Sequence, residues 1–404
     1  MPHTLRLALD VPEADRVHLR YAVDELLRPL GLSVEMTQRD SLREGDLYVG
    51  ERETPAVRLR REDLKAVFGW LSGAREEAVT ERDRWGRVRL ASMPEQNPLA
   101  TPVDDIRRDL AQTLRGHGHE VRETTWEGRD WAVALTHDLD ALHTPRLRAL
   151  VGDTLRGQPA RGLRRAFGTD DRQRSARALA DLAERHGATA TFFAKAGTSG
   201  PEDVRARPER ERAWYRDLLS RGHEIGLHPS VQAATDRARL GAEADRLARV
   251  TGTRQSLVRS HFLRWDPAVT PFLYAEAGFE ADSTLGWAEA PGFRRGTAHP
   301  FRLWDRRVNA TSGLWELPLA VMDTTLFVYQ RLTDEEVASA LEAVFEAARS
   351  ARGVAVVLWH NAMDGDSAWW ERLALLDRAL VTARQDGASL LPLGRTLLTA
   401  RSWS

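Results

Sequence analysis

Short apolar blocks alternate along this chain with longer stretches in which apolar residues recur at helical spacing. Near the N-terminus, residues 5–9 read as a strand, and residues 16–27 as a helix that stops at Pro29 and Gly31. Residues 32–36 and 46–49 predict two further short strands. These elements make residues 1–125 a small α/β unit, and nothing in its pattern assigns it a role. A turn-rich stretch at 123–130 closes it, and beyond that point strands and helices alternate regularly. Strands are predicted at 131–136, 189–194, 224–227, 257–260, 315–319 and 354–359. Helices are predicted at 176–186, 211–220, 233–250, 335–349 and 369–384. Such alternation implies parallel strands joined by crossovers, hence an α/β fold. The span 126–404 has the size of a (β/α) barrel, with a doubly wound open sheet as the competing architecture. Residues 143–168 are Arg-rich and aperiodic, which predicts a long surface insertion.

Polar residues gather where these apolar strands end. The first runs into Thr136-His137-Asp138-Leu139-Asp140, the third into His228, the fourth into Arg259-Ser260-His261, and the last into His360-Asn361. A parallel barrel builds its active site at the C-terminal ends of its strands from residues far apart in sequence. A buried charge must be paired or ligated, so repeated His, Asp and Arg at strand ends predict a shared site. Residues two apart on a strand face one side, so Asp138 and Asp140 can address the same point. Spacing alone does not say which carboxylate binds a metal and which takes a proton, and either could instead cap the next helix.

Composition narrows the chemistry. The chain has 404 residues and no Cys, so any metal must be held by His, Asp or Glu. A net charge of −1 argues against a nucleic-acid binder. Lys occurs only at 65 and 195, which reads as coding bias. The opening MPHTLRLALDV lacks a leader-like apolar core and no apolar run could span a bilayer, so the expectation is a cytoplasmic protein with no transmembrane segment. Oligomeric state is not readable. One metal held by His and carboxylate, a second carboxylate as base and a further His as acid would make a hydrolase.

The motifs THDLD (136–140), GHEIGLHPS (222–230), VRSHFLRW (258–265), ADSTLGW (281–287), PGFRRGT (291–297) and LWHN (358–361) occur in this order. On them, the chain resembles the NodB-type polysaccharide deacetylases of carbohydrate esterase family 4, in the branch whose first motif reads Thr-His-Asp-x-Asp. The resemblance implies a distorted (β/α) barrel over 126–404 and a metal-dependent hydrolase that removes the acetyl group of an N-acetylated sugar. It implies one divalent ion, zinc first, with cobalt or nickel as substitutes. It makes Asp138 the base, Arg259 the residue that orients it, and His360 the acid. Asp140 and His228 become metal ligands. The family's second metal His is replaced here by Gln232, so His261 is the expected third ligand, with Gln232 or water as alternatives. Trp287, Leu358, Arg294 and Asp323 are expected to contact substrate, and Trp265 and Asp282 to wall or brace the pocket. Another C–N hydrolase on the same barrel, or a degenerate carbohydrate-binding protein, remain the rival readings.

Overall fold

The computed structural model describes residues 3–94, 97–142, 171–197, 203, 206–362 and 368–403, with a few single positions between 151 and 163. The predicted insertion at 143–168 therefore lies outside the described residues, apart from those positions. Two sheets organise the chain. The smaller holds β1 (His3–Leu9), β2 (Leu32–Met36), β3 (Leu47–Val49) and β4 (Val57–Arg58), all parallel, in the order β2-β1-β3-β4.

The larger sheet starts with β5 (Trp131–Leu139), whose nine residues are all buried. A strand covered on both faces must be apolar throughout, which is why WAVAL shows no alternation. After it come β6 (Thr191–Lys195), β7 (Glu224–His228), β8 (Leu257–Val258), β9 (Ala281–Asp282), β10 (Phe301–Asp305), β11 (Ala310–Glu316), β12 (Leu319–Met322), β13 (Val354–Leu358) and β14 (Ala388–Leu391). Their order is β10-β11-β9-β8-β7-β6-β5-β13-β12, with β14 also paired to β5. No ladder joins β10 to β12 among the described residues, so the expected distorted barrel is an open, curled half-barrel. One edge of β5 serves two strands in turn: β14 pairs with Trp131–Ala134 and β6 with Thr136–Leu139. The second half of β5 therefore carries its neighbours forward to the rim where the polar residues lie.

The strand predicted at 315–319 divides in two. Pro318 lacks the N–H that a continuous ladder needs, and the chain leaves β11 at Glu316 to re-enter the sheet as β12, beside β13. Elsewhere local signals hold. The helix Asp334–Ser350 starts in a capping box, with Thr333 accepting from the Glu336 N–H and Glu336 answering at Thr333.

The segment 291–297 joins residues 73–104 to the large sheet. Gly292 has φ 139, and a Cβ there would stand 2.1 Å from the Pro98 carbonyl oxygen, so only glycine fits. Asp104, at the start of the helix Pro102–Gly116, accepts from Ala298 N and Thr297 Oγ1, each at 2.7 Å, and pairs with Arg107. Glu76 accepts from Arg294 Nε and Nη2 at 2.9 and 2.7 Å and lies 3.4 Å from Arg295. Burial alone would raise the Glu76 pKa, but the two guanidinium groups outweigh it and depress it from 4.5 to about 2. A depressed folded-state pKa contributes stability above the unfolded value that is lost as pH falls through the folded one. Stability is thus expected to decline between pH 4.5 and about 2. Glu76→Gln should shrink that decline and cost about 3–5 kcal/mol at neutral pH by leaving buried charge unpaired; urea unfolding at a series of pH values measures both.

Candidate active site

The tips of β5, β7, β8 and β13 converge on a cleft of roughly 320 Å³. Asp138 and Asp140 reach it from the end of β5, His228 from the last position of β7, His261 from the turn after β8, and His360 from just beyond β13. The far wall is apolar and aromatic, with Leu358, Phe327, Trp359 and Trp369.

Arg259 lies beneath this cluster with none of its side chain exposed. Its Nη1 donates to Thr136 Oγ1 at 2.8 Å and Asp138 Oδ1 at 3.1 Å. Nε donates to the Ser283 carbonyl at 2.8 Å and Nη2 to Ser283 Oγ at 2.9 Å. The guanidinium thus ties β5 to the segment after β9 and holds one oxygen of Asp138. The other oxygen, Oδ2, faces His228 Nε2 at 3.8 Å.

Asp140 Oδ1 stands 3.4 Å from His228 Nε2 and 3.2 Å from His261 Nε2. It is buried and has no hydrogen-bond partner. Burial opposes ionisation, yet His261 and His228 hold the Asp140 carboxyl well below the usual range. His228 Nδ1 bonds the Arg259 carbonyl at 2.7 Å and His261 Nδ1 bonds Asp203 Oδ1 at 2.7 Å. An imidazole whose Nδ1–H is donated keeps its Nε2 lone pair for a ligand. Tetrahedral bonds of about 2.0–2.1 Å to nitrogen and oxygen place neighbouring donors about 3.3 Å apart. Lys195 Nζ stands 3.0 and 3.3 Å from the two His261 nitrogens, so only the His228 tautomer is fixed. The two spacings to Asp140, its orphaned oxygen and the free His228 Nε2 fit a divalent ion. Asp140, His228 and His261 form one such group among the described residues.

His360 sits across the cleft with Asp323. Its Nδ1 donates to Asp323 Oδ1 at 2.6 Å and its backbone N–H to Oδ2 at 2.9 Å. Burial disfavours the imidazolium, but the Asp323 carboxylate, with Asp140 and Asp138 behind it, pushes the His360 pKa up to about 10. The ring is cationic at neutral pH, a state suited to giving away a proton.

Several sequence-derived assignments change. Asp323 lines the cleft, but both its oxygens are engaged by His360 and Thr324, so it braces the His360 ring where a substrate contact was expected. Arg294 is buried against Glu76, and Trp287 packs with Val88, Met93 and Ala290; neither lines the cleft. Their motif docks residues 73–104, which is why it is rich in charge and glycine. Asp282 is buried beside Glu316 and accepts from Thr284, and Trp265 packs near Tyr274. Gln232, in the turn Val231–Ala234, does not line the cleft. His137 bonds the Trp359 carbonyl inside the sheet, and His223 accepts from Ala190 N.

Two residues escaped the sequence reading. Lys195, 4% exposed at the end of β6, lies 2.8 Å from Asp203 and 3.8 Å from Asp140. Its place at a strand end was a usable signal, obscured by treating the scarce lysines as coding bias. Asp203 also accepts from Val231 N at 2.9 Å. The sequence around it, between the strand predicted at 189–194 and the helix predicted at 211–220, has no periodicity to mark it.

No protein-family model matches the chain. Comparison with curated proteins also finds no match. Among solved structures, it is similar to a candidate polysaccharide deacetylase from Mycobacterium smegmatis, at 21% identity and TM-score 0.49 over 68% of this chain and 91% of that one. A candidate polysaccharide deacetylase from Pseudomonas aeruginosa PAO1 aligns at 18% identity and TM-score 0.47, over 71% of this chain and 96% of its own. The PuuE allantoinase aligns at 16% and 0.46, over 68% and 90%. At such identities the reading of this site rests on its own side chains.

Proposed function

We propose that this chain is a metal-dependent carbohydrate deacetylase of the NodB type, cleaving the amide of an N-acetylated sugar. The observation that carries the reading is one cleft with three parts: a carboxylate clamped by a buried arginine, a two-His, one-Asp group, and a hydrogen-bonded His–Asp pair opposite. Asp140, His228 and His261 would hold the ion, with zinc the best match to two imidazoles and a carboxylate. When bound, such an ion polarises the acyl carbonyl and acidifies water. Asp138 takes the proton of the attacking water, and Arg259 keeps its carboxylate aimed. His360 gives its proton to the amine nitrogen as the C–N bond breaks, and Asp323 steadies the ring before and after. Acetate and a free amine leave. Leu358 and Phe327 supply apolar surface for the acetyl methyl group.

Asp138→Asn should cut acetate release from N-acetyl sugars by about 10²–10⁴-fold while metal content stays near one ion per chain. Asp140→Ala and His228→Ala should lose the metal itself. Elemental analysis beside an acetate assay separates these outcomes, and full metal retention in both alanine variants would overturn the ligand set. A panel of cyclic amides and ureides tests the rival C–N hydrolase. Substoichiometric metal with no acetate release would leave a carbohydrate-binding protein.

An acid works only while protonated, so activity should fall as pH rises through the His360 pKa. With that value raised to about 10, the alkaline limb of kcat should lie far above neutrality. Asp323→Asn removes the main raising charge, so the limb should move to lower pH, toward the ordinary 6.5. A pH profile unchanged by that substitution would show that His360 is not the acid.

A further inference from the structure

The turn that presents His261 is held in a backbone conformation its own side chains resist. Phe262 has φ 55 and Leu263 φ 53, two consecutive bulky residues in the left-handed region. A Cβ in that region crowds the following carbonyl, so the turn persists only where its surroundings impose it. Within the turn, the Leu263 and Arg264 N–H groups donate to Ser260 and His261. The Ser260 N–H donates to Thr284 Oγ1 and the His261 N–H to the Pro229 carbonyl, which anchors the start of the turn; Phe262 itself is held from far away in the sequence, by residues 83–87.

Arg87 is buried, and its Nη1 donates to the Phe262 carbonyl at 3.0 Å. Its Nη2 donates to the Tyr329 hydroxyl at 3.1 Å and its Nε to Asp83 Oδ2 at 2.6 Å. Asp83 Oδ1 in turn accepts the backbone N–H groups of Trp85 and Arg87, at 2.9 and 3.0 Å, which folds this short segment onto itself. The Trp85 ring stacks on Phe262, with centroids 4.7 Å apart and planes at 19°. Phe262 stacks on the His261 imidazole at 4.0 Å and 29°. The Arg87 guanidinium lies 4.6 Å from the Trp85 centroid, so cation, indole, phenyl and imidazole form one continuous series.

The geometry points to a role for residues 83–87 as a clamp on the third metal ligand: Trp85 and Arg87 are positioning residues that fix His261 through Phe262. The inference rests on His261 being a ligand, as proposed above. A guanidinium on the carbonyl of a strained residue sets the backbone, and the stacked rings set the tilt of the imidazole about its Asp203 bond. The ligand that replaces the family's usual second His therefore depends on a segment outside the barrel motifs. Residues 83–87 also reach the reaction cleft, because Arg87 lines it.

Cobalt titration of the full-length apoprotein tests the clamp, reading both the visible d–d band and affinity by competition with a chromophoric chelator. Trp85→Ala and Arg87→Ala should each weaken Co²⁺ binding by about tenfold or more and change the band. Trp85→Phe, which keeps an aromatic face on Phe262, should restore most of the affinity. Circular dichroism and thermal unfolding of the apo forms report the fold separately. Should Arg87→Ala fail to fold, Trp85→Ala decides, since Trp85 is only half-buried. Folded alanine variants that bind Co²⁺ within about twofold of the parent would overturn the clamp and leave the ligand set standing. A parent protein that takes up no Co²⁺ would instead sink the metal site, and the clamp with it.

Discussion

A guanidinium with no exposed surface is the constraint around which the cleft end of the large sheet is arranged. Arg259 cannot lose its charge, and burying it is tolerable only because its donors meet Thr136, Asp138 and Ser283. Those partners sit on two separate segments, β5 and the stretch after β9, so satisfying the arginine fixes how the two lie relative to each other. Thr136 and Ser283 pass the restraint on, donating to the carbonyls of Val357 and Leu317. The residue that holds Asp138 in place is thus also the one that draws the half-barrel together beneath the cleft. Its backbone carbonyl takes part as well, by setting the tautomer of His228.

The parts that were legible in the sequence share a physical cause. Strands buried on both faces must be continuously apolar, so their ends stand out wherever polarity returns. Asp138, Asp140, His228, Arg259, His261 and His360 all stand out by that contrast, and the structure brings five of them to one cleft with Arg259 beneath it. The strand at 315–319 was misjudged because hydrophobicity runs on through Leu317 and Pro318 while the ladder does not. Asp203 was invisible for a different reason: the sequence around it has no period, and its partners lie on β6 and after β8. Arg294 and Trp287 were drawn toward the substrate by motif position alone, whereas only coordinates show that Glu76 and Val88 face them.

Charge placement follows a common rule in both halves of the chain. Deeply buried ions occur in small sets of opposite sign: Glu76 with Arg294 and Arg295, Asp104 with Arg107, Asp203 with Lys195. Two of these sets lie where residues 73–107 meet the large sheet, and the third lies behind the proposed ion site. Ion pairs in such places contribute modestly to net stability but penalise any other arrangement, because a shifted partner strands a charge. Their value is in register, and register is what a ligand set demands.

The docking of segment 291–297 against residues 73–104 has a practical consequence for anyone trimming the protein. Removing the first 125 residues would expose the Arg294 and Arg295 guanidinium groups without Glu76, and leave Gly292 facing open space where Pro98 had been. The Phe262 carbonyl would also lose its donor. A barrel-only fragment, drawn from the motifs as the natural expression unit, would begin life with an unclosed wall and a charged scar beside its own site. The boundary that looks severable in the sequence is, in the folded chain, a seam.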